Sequence, residues 1–165
     1  MDWDEIFDRY SGPLVLFARQ WVSCHSLAED AVQEGFIRTW RAFTGKRVNE
    51  DGVVPYLYRA VKSSALDYLR GSGRRQKREQ EHFEDSPKWE PFFLPDSKND
   101  EQKVIEGALR ELPEEQREVI VMKIWGDQTF EAIGKAVGIS QNTAASRYRY
   151  GMETLRKILG GEKKE

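Results

Sequence analysis

The 165-residue chain is 39 % hydrophobic with a formal net charge of −2, enough apolar content for one medium core or two small ones, and its balance excludes a uniformly basic nucleic-acid binder. Its longest apolar runs, such as Val119 to Met122, fall far short of the roughly 20 residues a membrane span needs, and no basic-then-apolar leader opens it, so a cytoplasmic protein without membrane insertion is expected. One cysteine, Cys24, excludes an internal disulfide and a cysteine-based zinc site, and no metal or cofactor is expected.

Trp3, Phe7, Tyr10, Leu14, Phe17 and Trp21 recur every three or four residues, predicting an amphipathic helical stretch that Gly12-Pro13 bends or interrupts. Ser26 precedes Glu29 at capping-box spacing, and Ala28, Val32, Phe36 and Trp40 carry the apolar stripe of a second helix. Residues 44–54 are polar, contain Gly45 and Gly52, and read as a loop ending at Pro55, which suits the first turn of a third helix. Leu57, Val61, Ala65, Tyr68 and Leu69 supply that helix with a buried face, and its periodicity stops at Gly71-Ser72-Gly73. From Gly71 to about Asp100 the composition is that of a linker, with Pro87, Pro91 and Pro95. Its Trp89, Phe92, Phe93 and Leu94 are covered either by a partner or by packing onto a domain. Apolar spacing resumes with Val104, Ile105, Ala108, Leu109 and Leu112, and Pro113 opens a helix carrying Val119, Ile120, Met122 and Ile124. With no strand-like alternation of useful length, the expected fold is all α: two small helical domains, residues 1–73 and 101–161, joined by a flexible linker over 74–100.

The second domain contains a helix-turn-helix pattern. Thr129 caps a short helix whose Phe130, Ile133 and Val137 face inward, Gly138-Ile139 makes a tight corner, and Ser140 caps the next helix. Ala144, Tyr148, Leu155 and Ile158 mark the buried side of that long final helix. Gln141, Asn142, Ala145, Ser146 and Arg149 are left opposite, a row suited to a DNA major groove: amides for adenine, guanidinium for guanine, a methyl for thymine. Charge supports contact with a polyanion. Residues 44–79 hold nine basic against four acidic side chains, residues 80–118 hold five against twelve, and residues from 119 onward hold eight against five.

Three further segments carry a family resemblance. The run Ala28-Glu29-Asp30-Ala31-Val32-Gln33-Glu34-Gly35-Phe36-Ile37-Arg38-Thr39-Trp40-Arg41 resembles the core-polymerase-binding helix of the extracytoplasmic-function (ECF, group 4) RNA polymerase sigma factors, and the resemblance continues in order through both domains. It implies that Asp30, Gln33, Glu34 and Arg38 meet the polymerase clamp. The run Pro55 to Arg70 is similar to the family helix that melts and reads the minus-ten element. Its Tyr56, Arg59, Lys62, Ser63, Asp67 and Arg70 are the implied contacts, with Ser63 standing where the family commonly has Asn. Basic residues interleaved with aromatics suit a single strand on physical grounds as well, although at least one of Tyr56, Tyr58 and Tyr68 is expected in the core. In the family the preceding loop pockets a flipped base, which makes Lys46, Arg47 and Asn49 candidates. Ala108 to Val119 looks like the opening of the family domain that reads the minus-thirty-five duplex, so Gln141, Asn142, Ala145, Ser146 and Arg149 become its implied readers.

The implied partners are bacterial core RNA polymerase, promoter DNA and an anti-sigma factor, with the free protein a monomer. A stand-alone helix-turn-helix regulator is the alternative reading, but it leaves the first domain without a task. An enzyme is the third: the only histidines, His25 and His82, lie beside Cys24 and in the linker, and no nucleophile or phosphate-cradling motif accompanies them.

Overall fold

A computed structural model describes the backbone of residues 1–80 and 100–162 and the side chains of residues 1–71 and 104–160. The described residues form seven α-helices and no strand: α1 Trp3–Ala18, α2 His25–Phe43, α3 Glu50–Gln80, α4 Asp100–Glu111, α5 Glu114–Ile124, α6 Phe130–Val137 and α7 Gln141–Glu162. The chain divides into two compact units, Met1–Glu90 and Pro91–Glu165. The expected aromatic stretch around Trp89 to Leu94 lies outside the described residues.

In the first unit, α1, α2 and α3 close over Ile6, Leu14, Phe17, Val32, Val53, Leu57, Tyr58 and Val61, all buried. Phe17 sits edge-on to both Trp21 and Tyr58, each with ring centroids 5.0 Å apart. Gly35 lets α2 and α3 approach: a Cβ there would lie 2.4 Å from the Val61 Cγ2 atom and 3.0 Å from its backbone nitrogen. Several helix ends differ from the expected ones. Gly12-Pro13 does not interrupt α1, because one lost hydrogen bond is offset by burial of Leu14 and Phe17 immediately beyond. Cys24, not Ser26, caps α2, its sulfur accepting the Leu27 N–H at 3.5 Å. Helix α3 begins at Glu50, five residues before Pro55, because the Asn49 side chain accepts the Gly52 N–H at 3.0 Å and so starts the first turn earlier. It continues through Gly71-Ser72-Gly73 to Gln80, since a helix backbone bonds to itself without an apolar stripe and residues 74–79 are mostly strong helix formers. Leu69, assigned to the buried face, is 42 % exposed.

In the second unit Ala108, Leu109, Leu112, Ile120 and Leu155 form a core, with Trp125, Tyr148 and Met152 packed around it. Val104, in the second turn of α4, and Ile124, the last residue of α5, are expected in apolar stripes but are exposed. The helix-turn-helix corner forms as its residues require. Thr129 accepts the Ala132 N–H at 3.1 Å, Gly138 takes φ +79°, and Ser140 accepts the Thr143 N–H at 3.1 Å. Gly134 is the second obligate glycine of the corner, because a Cβ there would stand 2.6 Å from the Ile139 carbonyl oxygen.

Candidate nucleic-acid interface

Helix α3 carries the largest assembled face. Tyr56, Arg59, Ser63, Asp67 and Arg70 are all exposed at successive spacings of three and four, and so form one stripe along the helix. Tyr56 is held at its upper end by an edge-on contact with Phe43, with centroids 5.1 Å apart. Lys62 flanks the stripe, half-buried, with its Nζ atom 5.3 Å from the centre of the Trp21 ring, which fixes the ammonium beside the face. Tyr58 is the tyrosine that belongs to the core; burial pushes its phenol well above the usual range, and it takes no part in the exposed stripe.

The α2 residues Asp30, Gln33, Glu34 and Arg38 share the side of that helix away from the core, the first two exposed and the second two half-buried. Arg38 leaves this group to bridge to α3. Its guanidinium donates to Glu34 at 3.2 Å, to the Ser63 hydroxyl at 3.5 Å and to Asp67 at 3.5 Å. Residues assigned from sequence to two separate tasks therefore touch. Asp67, the acidic member of the stripe, faces Arg38 in an exposed ion pair.

Between α2 and α3, residues 44–49 form a short loop fixed at both ends. Thr44 caps α2 through the Trp40 carbonyl, Gly45 takes φ +79°, and Asn49 caps α3. Under the loop lies a cleft of about 540 Å³ lined by Met1, Trp3, Trp40, Phe43 and the loop residues Thr44 to Asn49. Lys46, Arg47 and Asn49 thus come together at one concave, aromatic and basic site, although the Asn49 side-chain oxygen is already engaged as the helix cap. The sequence reading, which puts the pocketing loop at about Phe43 to Val54, missed Met1, Trp3 and Trp40 here. Trp3 and Trp40 had been placed on apolar stripes, and the 50 % exposure of Trp40 separates it from the core.

A second missed feature is the tie beyond the loop. Glu50 Oε1 accepts from Arg9 at 2.6 Å and from the Tyr10 hydroxyl at 2.8 Å. The Tyr10 hydrogen bond, aided by Arg9, lowers the Glu50 carboxyl below its ordinary value. Burial, followed by the Glu50 charge, raises the Tyr10 phenol.

In the second unit α7 presents Gln141, Asn142 and Arg149 exposed, with Ala145 and Ser146 half-buried between them. Gln141 and Asn142 occupy a first turn without acidic residues, where unpaired N–H groups favour a phosphate. The Arg149 guanidinium lies 5.2 Å from the centre of the Tyr150 ring, itself 53 % exposed and unremarked from sequence. An exposed helix on a helix-turn-helix corner is the geometry that enters a major groove. Among the described residues there is no cluster of His, Cys, Asp and Glu able to hold a metal, and no helix long and apolar enough to cross a membrane.

Comparison with known proteins follows the same division. Residues 6–75 match the family described as Sigma-70 region 2, and residues 108–157 match Sigma-70, region 4. The chain is similar to RNA polymerase sigma factor SigZ of Bacillus subtilis, 23 % identical over 98 % of this chain and 89 % of that protein. It is also similar to sigma factor CarQ of Myxococcus xanthus, 28 % identical over 95 % and 88 % of the two chains. Among solved structures, the sigma factor RpoE of Bartonella quintana, determined in complex with the anti-sigma factor NepR, shares the fold with a TM-score of 0.68, at 22 % identity over 95 % of this chain and 96 % of that one.

Proposed function

From the premise that this chain belongs to the extracytoplasmic-function sigma factors, alternative sigma factors that act with RNA polymerase in promoter recognition, we propose a residue-level division of that work. Asp30, Gln33, Glu34 and Arg38 on α2 bind the core polymerase. The α3 stripe of Tyr56, Arg59, Ser63, Asp67 and Arg70, with Lys62 at its side, holds the melted minus-ten strand. The cleft with Lys46, Arg47 and Asn49 takes a base from that strand. Helix α7 lies in the minus-thirty-five major groove, with Gln141, Asn142, Ala145, Ser146 and Arg149 toward the bases.

The observation that carries this reading is the placement of the α3 stripe and the loop cleft in one unit, joined through the Tyr56–Phe43 contact. A duplex reader needs no cleft beside its basic face. An unpaired strand does, because its affinity comes from phosphate contacts plus bases that stack or enter pockets. Residues 1–73 then act as the polymerase and minus-ten domain, residues 101–161 as the minus-thirty-five domain, and residues 74–100 as their connection. The protein works as a non-enzymatic cytoplasmic factor, monomeric until it meets the polymerase. Because the Bartonella relative was solved with an anti-sigma factor, a regulator of that class is proposed here too.

The test is the affinity of the full chain for bacterial core RNA polymerase. Wild type should bind tightly, and Asp30→Lys with Glu34→Lys should weaken binding by at least about tenfold, the scale of losing charge pairs at a protein interface. Unchanged affinity in the reversals would remove α2 from the polymerase contact. Failure of the wild type to bind, with symmetric binding of a dimer to duplex DNA, would favour a stand-alone regulator.

A further inference from the structure

The cleft beneath the loop is not built from the loop alone. One wall is Trp3, the first residue of α1, with Met1 just before the helix, and the Sigma-70 region 2 match begins only at residue 6. Trp3 and Tyr10 are seven residues apart, two helical turns, and so lie on the same side of α1. Trp3 lines the cleft, while Tyr10, with Arg9 beside it, reaches Glu50, the residue that follows the loop. The same helix therefore supplies one wall of the cleft and fastens the exit of the loop that forms another. Between them Ile6, with Leu14 and Phe17 further along, anchors the helix in the core.

We propose that α1 is a working part of the strand-capture site: Trp3 is a specificity-determining wall for one unpaired base, and Glu50 is a positioning residue that holds that wall in register with Lys46 and Arg47. This rests on the reading of the cleft as a base pocket. The chemistry fits a nucleobase attached to a phosphate. Trp3 and Trp40 offer flat apolar rings, Lys46 and Arg47 offer cationic heads for the backbone, and both kinds line one space. A wall that is fixed before the strand arrives discriminates between bases better than one that adapts, because a misfitting base cannot recover its contacts by rearrangement.

The experiment selects, with holoenzyme reconstituted from the full chain and bacterial core polymerase, from duplex DNA ending in a short randomised single-stranded stretch. Wild type should enrich particular bases at several positions. Trp3→Ala and Glu50→Ala should each lose at least about fivefold of the preference at one shared position, the lower end of what stacking of a base supplies, with the other positions and core affinity unchanged. Trp3→Phe, which keeps a ring, should restore it. Tyr10→Phe, which removes only a hydroxyl, should lose part of the same preference, and it decides the matter should Trp3→Ala fail to fold. A uniform fall at every position, losses at different positions, or unaltered preferences would overturn the role of α1. Wild type without preference at any unpaired position would instead overturn the base-pocket reading, and α1 with it.

Discussion

The two faces proposed to meet nucleic acid differ in how far the protein itself has shaped them. In the first unit the working side chains are held by other parts of the fold: Arg38 by Glu34 and Asp67, Lys62 over Trp21, Tyr56 against Phe43, and the loop between two helix caps. In the second, α7 projects its row from a corner set by backbone geometry, Gly138 in the left-handed region and Gly134 beneath the Ile139 carbonyl. A duplex presents its bases in a groove of fixed shape, so a reader needs only a helix held at the right angle. A melted strand has no shape of its own, and the protein must supply one. The proposed strand-capture role accounts for the concave site of the first unit and for the Tyr56–Phe43 contact beside it.

The largest effects should come from the glycines on which each unit depends. Gly35→Ala drives a methyl against the Val61 Cγ2 atom, with the Val61 backbone just behind it, and Gly134→Ala drives one against the Ile139 carbonyl; the fully buried valine has little room to turn and the carbonyl has none. Each should cost about 1–3 kcal/mol, the usual scale of overpacking. Hydrogen exchange should then show faster opening of α2 and α3 amides in the first variant and of α6 and α7 amides in the second. Polymerase binding should fall with Gly35→Ala, and minus-thirty-five duplex binding with Gly134→Ala. Faster exchange in both units from one substitution would break the comparison.

The helix-turn-helix was legible because its signals are local. Thr129, Gly138 and Ser140 each act within three or four residues of their own position, and each does what its residue type foretells. The helices of the first unit were legible as elements but not at their ends. A sequence rule interrupts a helix at Pro13 and starts one at Pro55, whereas α3 begins five residues earlier and Pro55 is buried beside Val53, Val54 and Leu57, whose packing outweighs one missing hydrogen bond. The α3 candidates that the family resemblance implies share one side of the helix, since helical spacing alone aligns Tyr56, Arg59, Ser63, Asp67 and Arg70. The cleft wall and the Glu50 tie were not. Tyr10 and Glu50 are 40 positions apart, and nothing in the periodicity of either segment announces that they meet.

At the level of single contacts, Arg149→Ala should weaken binding to minus-thirty-five duplex by about 1–3 kcal/mol if the guanidinium is bidentate to guanine, with lost discrimination at one base pair. A uniform loss across sequences, with a shallower salt dependence, would move Arg149 from the base readers to the phosphate contacts. In the first unit Arg38→Ala should cost folding stability no more than about 1 kcal/mol, because its ion pairs are 39–56 % exposed. Its larger consequence should be weaker capture of a single strand, since Asp67 is then left uncompensated on the stripe. Equal strand affinity in Arg38→Ala and wild type would show that the bridge shapes nothing.

The smallest predicted effect tests whether the first unit's site is fastened as described. Glu50 has a lowered carboxyl, chiefly through the Tyr10 hydrogen bond, so it binds its proton less readily folded than unfolded. Its contribution to stability is therefore complete above the ordinary carboxylate value of 4.5 and is lost as pH falls through the lowered folded value. Tyr10 has the opposite sign. Raised by burial and by the Glu50 charge, its contribution is complete below the ordinary value of 10.0 and is lost as pH rises through the folded one. Between those limits wild type should be more stable than Glu50→Gln, by less than about 1 kcal/mol for so exposed a group. Denaturant unfolding across a pH series should show that difference shrinking in acid, as wild type protonates and comes to resemble the variant. A difference that stayed constant through the acid range would mean that the carboxylate charge does not hold α1 to the start of α3, and that the tie is only a neutral hydrogen bond.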